Sequence, residues 1–174
     1  LLLADLASRR LNQLIDPACV EAVWNSLSLA AIAATLTVRI SIALAYALRL
    51  RPTAFLRLGV RFAAIGYAIP GTILAVGILV PLAALDNLID AQMKILFGVG
   101  TGLLLLGSGT GLIYAYMVRF LAVSYGQIEG GFGKISPHLD MAARTLGRDA
   151  SRTLGQIHLP LLRPVLLSAL LLTF

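Results

Sequence analysis

The chain has 174 residues, 59% of them hydrophobic and only 13% charged, with a net charge of +6. A soluble domain carries about a quarter charged residues, so this chain has too much apolar surface for an ordinary soluble globule to enclose. The composition points instead to an all-α, polytopic transmembrane helical bundle, and the placement of the basic charge removes the need for a nucleic-acid partner.

In chain order, residues 1–21 mix Asp5, Arg9, Arg10, Asp16 and Glu21 with leucines and are expected to form an external or interfacial segment. The opening Leu1-Leu2-Leu3 has neither an initiator Met nor a basic signal-peptide region, so the chain is expected to be an internal fragment. The single cysteine, Cys19, can make no intrachain disulfide. A first span is expected over about 22–48, interrupted by Arg39. A basic link follows with Arg49, Arg51, Arg57 and Arg61 and no acid, broken at Pro52.

Residues 62–85 and 95–118 are free of charge. Each exceeds the roughly 20 residues a helix needs to cross a ~30 Å hydrocarbon core. The second span carries Pro70-Gly71 as an expected kink, and the link after it holds Asp86, Asp90 and Lys94. The third span contains Gly98/Gly102 and Gly107/Gly111, small-xxx-small pairs that favour close helix packing.

A loop over 119–163 then carries Arg119, Lys134, Arg144, Arg148, Arg152 and Arg163 against three acids. Positive charge therefore alternates between links, which puts the first link and this loop in the cytoplasm. Within the loop, Ser136-Pro137 reads as N-cap and first helical position and Gly147 as a helix stop. Asp149 opens a second short helix through Ile157, which Pro160 is expected to end. Residues 164–174 begin a fourth span and stop short of crossing.

Site chemistry is sparse. Gly126 to Lys134 mimics a phosphate loop but has Ile128 and Ile135 where that motif needs Gly and Ser/Thr. His138 and His158 lack a second ligand at metal spacing, so no metal or cofactor is expected in the chain, and both are read as loop-surface residues. The spans as drawn contain no carboxylate, which weighs against a proton-driven carrier or intramembrane hydrolase. A membrane enzyme or passive channel stays open as an alternative, though no polar catalytic cluster is visible.

One pattern is specific. The loop reads Met141-Ala142-Ala143, three residues, Gly147, nine residues, Ile157, one residue, Leu159-Pro160. It resembles the EAA loop of binding-protein-dependent ABC transporter permeases: Glu-Ala-Ala, three residues, Gly, nine residues, Ile, one residue, Leu-Pro. Six positions match; Met141 departs from the family's Glu, with Asp140 just before it. Asn25 to Ala30, Gly66 to Gly77 and Tyr114 to Ala122 are similar to the iron(III) permease branch with its MetI-like core.

The resemblance implies a transport subunit, not an enzyme, in a bacterial inner membrane. It implies docking of a cytoplasmic ATPase, which binds the ATP, through Met141, Ala142, Ala143, Gly147, Ile157, Leu159 and Pro160. It further implies an external solute-binding protein, a second permease module and ferric iron as substrate. Thiamine, polyamine, sulfate or phosphonate are the alternatives. Arg39, Tyr67, Pro70 and Gly71 are candidates for a translocation path, since broken helices and intramembrane charges line such paths. Arg39 equally suits a structural anchor or a snorkelling position.

Overall fold

The computed structural model describes residues 17–174. Of the segment expected at 1–21, residues 1–16 lie outside the described residues and 17–21 are already helical. The elements are α1 (Pro17–Leu50), α2 (Ala54–Ala68), α3 (Gly71–Phe97), a single turn α4 (Leu104–Gly107), α5 (Thr110–Gly133), α6 (Pro137–Thr145), α7 (Ala150–Thr153), a π-helical turn (Leu154–His158) and α8 (Leu159–Thr173).

Three helical stretches are long and apolar enough to cross a membrane: Pro17–Leu50, Gly71–Phe97 and Ala150–Thr173. Their outward faces keep large apolar residues uncovered, Trp24, Val80 and Leu171 among them. In water such a surface is a liability; against lipid it costs nothing.

Helix α1 turns a stripe of small residues inward. Ala33, Ala34, Thr37, Val38, Ser41 and Ala45 are buried at helical spacing. Thr37 satisfies its hydroxyl on the Ala33 carbonyl at 2.7 Å, so the stripe stays smooth enough for α5 to lie against it. The core is built from Val38, Ala45 and Tyr46 of α1, Tyr125, Ile128 and Phe132 of α5, and Leu162 and Ala169 of α8. Where the helices face lipid, what favours burial of side chains such as Leu162 is close packing and not removal from water.

Helix boundaries differ from expectation in four places, each for a local reason. The kink expected at Pro70-Gly71 is a full break. Ile69 is extended (φ −76°, ψ 132°) and Pro70 precedes the first residue of α3, because the proline ring disfavours helical geometry in the residue before it.

The acidic link expected at Asp86–Lys94 is helical, and α3 runs on to Phe97, closed by Gly98 at φ 69°. Asp86 is fully buried; its carboxylate accepts the Leu105 amide at 2.8 Å and the Leu106 amide at 3.0 Å, capping α4. Asp90 accepts the amides of Thr101 and Gly102 at 2.7 and 3.0 Å. These carboxylates hold the irregular segment 98–109, so a carboxylate does lie within a span-length helix.

The third span is likewise not a continuous helix over 95–118. Gly98 and Gly102 have positive φ, so that expected pair serves turns; of the other, Gly107 ends the single turn α4, while Gly111 is buried in α5, where a Cβ would lie 3.1 Å from Leu82 Cδ1 of α3. Helix α5 instead extends through 119–133, which was expected as loop. Closer helix approaches are made elsewhere. A Cβ on Gly66 would lie 2.6 Å from the Val118 carbonyl oxygen, and one on Gly131 would lie 2.8 Å from Leu162 Cδ2.

Finally, Pro160 does not end a helix. The stretch Ala150–Thr173 is continuous over 24 residues. The Leu159 amide reaches back five residues to the Leu154 carbonyl, and this widened π turn makes room just ahead of the proline that lacks an amide hydrogen. The second arm of the loop and the last span are therefore one rod.

Candidate functional site

The 134–160 segment is a bent helical pair. Ser136 accepts the His138 amide at 3.3 Å with Pro137 at the first helical position. At the other end of α6, the Arg148 amide donates to the Ala143 carbonyl and the Gly147 amide to the Arg144 carbonyl, both at 3.0 Å. With Gly147 at φ 74° this is the paired-bond helix stop that a left-handed residue permits. Asp149 then accepts the Arg152 amide at 2.8 Å and opens α7, while the Arg148 guanidinium hydrogen-bonds Gln156 across the bend.

What holds this bent pair to the bundle is a half-buried charged centre. Arg49, in the last turn of α1, donates from Nε to Asp140 Oδ2 at 2.8 Å. Its other nitrogens donate to the Phe132 carbonyl at 2.7 Å and the Ile135 carbonyl at 3.0 Å. These carbonyls close the C-terminal end of α5, where a cation also meets the negative end of the helix dipole.

Asp140 Oδ1 meets His158 Nε2 at 2.6 Å. Because the carboxylate already accepts from Arg49, the Nε2 proton belongs to the histidine. Burial alone would raise the Asp140 pKa, but the hydrogen bonds from His158 and Arg49 outweigh it and hold the carboxyl below its ordinary value of 3.8.

An aromatic wall surrounds the pair. His158 is fully buried, with Tyr46 and Phe132 ring centroids at 5.6 and 5.5 Å. Arg49 lies over the Phe132 ring at 5.7 Å. The Tyr46 hydroxyl donates to the Ala150 carbonyl at 2.8 Å, tying α1 to the first residue of α7. His158 is thus an interior residue and not the surface residue expected for it. The end of α1 and the loop also lie at the same end of the bundle, away from the segment that Asp86 and Asp90 secure.

The residues singled out on the loop divide into two sets. Ala143 is buried (2% exposed), and Ile157 and Leu159 are half-buried. Met141, Ala142, Gly147 and Pro160 are exposed, and so are Leu139 and Leu146. Asp140 faces inward while the next residue, Met141, is 60% exposed.

Among the candidate path residues, Arg39 lies on the uncovered face of α1 beside Ile32 and Leu36. Tyr67 and Pro70 are exposed at the α2–α3 break. Gly71 has the Arg119 guanidinium packed so closely against it that a Cβ would meet Nη1. The structure therefore brings Pro70, Gly71 and Arg119 together and leaves Arg39 apart from them.

Tyr46, Arg49, Asp140 and His158 were not recognisable from the sequence as a group. Arg49 and Asp140 are 91 positions apart, and no spacing rule links them. The one local signal was an acid in the first turn of α6. Among the described residues no group of three or more His, Cys, Asp or Glu side chains is arranged to hold a metal. Comparison with protein-family models, curated proteins and solved structures finds no match to this chain.

Proposed function

We propose that this chain is part of the transmembrane permease subunit of an ATP-driven importer of the binding-protein-dependent ABC class, in a bacterial inner membrane. The observation that carries the reading is the bent pair α6–α7. With the π turn and the start of α8 it carries the EAA-type positions from Met141 to Pro160, is clamped to α1 on its inner side, and leaves Leu139, Met141, Ala142 and Leu146 uncovered on its outer side. Exposed apolar residues on a rigid, rim-charged element suit a protein partner.

In this mechanism the partner is a cytoplasmic ATPase that binds and hydrolyses ATP, and this chain supplies no catalytic residue. Closure of the ATPase pair moves α6 and α7. Because α7 and α8 form one continuous rod, the displacement passes directly into a spanning helix. Arg49 transmits it to α1 and to the end of α5. A second permease module completes the path, and an external solute-binding protein delivers the substrate. Ferric iron is the proposed substrate on the strength of the segments Gly66 to Gly77 and Tyr114 to Ala122. The exposed α2–α3 break is the proposed path element.

The test uses the full-length protein co-expressed with its ATPase. Met141→Arg and Leu146→Glu alter only exposed side chains and should leave the thermal midpoint unchanged. They should abolish co-purification of the ATPase and ATP-dependent uptake of ferric iron. Undiminished association in the double variant refutes the docking assignment. Uptake of thiamine or sulfate in place of iron refutes the substrate alone.

A further inference from the structure

At the same end of the bundle as Arg49, helices α1, α2 and α5 enclose an open cleft of about 470 Å³. Its walls are mostly apolar, with Leu48, Val60 and Phe132 among them, and three arginines line it, Arg49, Arg57 and Arg61. Arg49 is spent on Asp140 and the carbonyls of α5. Arg57 and Arg61 are not. They stand one turn apart on α2 and so share a face. Arg57 uses one nitrogen on the Pro52 carbonyl at 3.0 Å, and among the described residues Arg61 has no hydrogen-bond or ion-pair partner. The single acid on the lining, Glu129, accepts the Tyr125 hydroxyl at 2.9 Å and forms no ion pair with either arginine.

The flank of α2 beside these arginines is apolar and uncovered. Leu58 and Ile65, three residues before and four after Arg61, are exposed, as are Phe55 and Phe62. A short helix with arginines that form no ion pair at a cleft and an exposed apolar flank has the chemistry of a lipid contact at the membrane surface.

We infer that this cleft binds the phosphate of an anionic phospholipid through Arg57 and Arg61, with the acyl chains lying along Leu58, Phe62 and Ile65 of α2. Planar guanidiniums match phosphate oxygens with paired donors. The apolar flank favours a lipid over a free ion, because the second half of such a ligand has a surface to bury. The inference stands on the membrane-spanning character of the helices and does not depend on the transport reading.

The experiment places the full-length protein in nanodiscs of phosphatidylcholine doped with phosphatidylglycerol. Retained lipid is read by native mass spectrometry. Each arginine near an anionic surface is worth about a five-fold preference, so Arg57→Gln/Arg61→Gln should lower phosphatidylglycerol retention by roughly 25-fold. Arg51→Gln/Arg152→Gln removes the same charge outside the cleft and should retain it.

In the unsubstituted protein, phosphatidylglycerol should shield Arg61 from phenylglyoxal, and inorganic phosphate should not. Equal loss in both double variants overturns the site in favour of diffuse surface charge. Equal shielding by inorganic phosphate overturns the lipid assignment, and absence of shielding by either overturns the cleft as an anion site.

Discussion

Replacing Asp140 tests whether the half-buried charged centre is what holds the bent pair to the bundle. Its carboxylate is 17% exposed and accepts from both Arg49 and His158. In Asp140→Ala the guanidinium keeps its carbonyl acceptors on α5, so it is not stranded. The fully buried Nε2–H of His158 does lose its acceptor, which costs about 1–3 kcal/mol, and the charge-assisted bond to Arg49 is worth about 1.5–3 kcal/mol. Allowing for relaxation at a partly exposed site, the expected loss is about 2–4 kcal/mol.

Asp140→Asn is the more informative variant. Its amide oxygen can accept from Arg49, but its NH2 group then faces His158. The histidine must move its proton to Nδ1, which is buried and has no partner. The asparagine variant should lose about 1–2 kcal/mol, less than alanine. The assay is hydrogen exchange of the α6 and α7 amides, alongside the thermal midpoint, for the protein in nanodiscs. Exchange should quicken across 137–158 while α3 and the segment 98–109 stay protected, because the clamp touches only one end of the bundle. Unchanged protection of 137–158 in both variants refutes the clamp.

Three further outcomes follow from other contacts. Asp140 titrates below its ordinary value of 3.8 in the folded chain, so its stabilisation is complete above that value and is lost as pH falls through the lowered one. The part of the midpoint difference between wild type and Asp140→Asn that the carboxylate supplies should shrink as pH falls below 3.8; a difference that grows there would refute the lowered titration.

Gly66→Ala sets a Cβ 2.6 Å from the Val118 carbonyl oxygen, a backbone atom that cannot step aside, whereas Gly59 has open space. Thermal unfolding should show Gly66→Ala costing about 1–3 kcal/mol and Gly59→Ala gaining up to about 1 kcal/mol; equal midpoints would show that α2 and α5 are not in close contact. Asp86→Ala uncaps the Leu105 and Leu106 amides and should cost about 2 kcal/mol. Cysteines placed at exposed positions over 98–104 should then react faster with a membrane-impermeant thiol reagent; unchanged rates would remove Asp86 as the fastener of that segment.

Much of the local structure was legible because it depends on short-range rules. Ser136, Gly147 and Asp149 cap and stop their helices as their residue types dictate, and long charge-free runs mark apolar helices. The misplacements share a cause. Asp86, Asp90 and Lys94 read as a link because charge is assumed to seek water, yet two of the carboxylates bond the backbone of a segment some distance along the chain. Pro160 reads as a stop because its ring clashes in a regular α-helix, and a π turn removes the clash.

Composition and charge order alone marked the chain as helical, with stretches long and apolar enough to cross a membrane, since hydrophobicity, helix capping and charge bias act residue by residue. The tertiary structure decided which of those charges face inward. Arg49, Asp140 and His158 come from three separate stretches, and their pairing exists only once α1, α5 and α8 have packed. Only then did the loop become a bent helical pair fixed on its inner side by a carboxylate, with Met141 uncovered beside it. A buried charge needs a partner wherever the fold can supply one, and sequence distance carries no information about where that is.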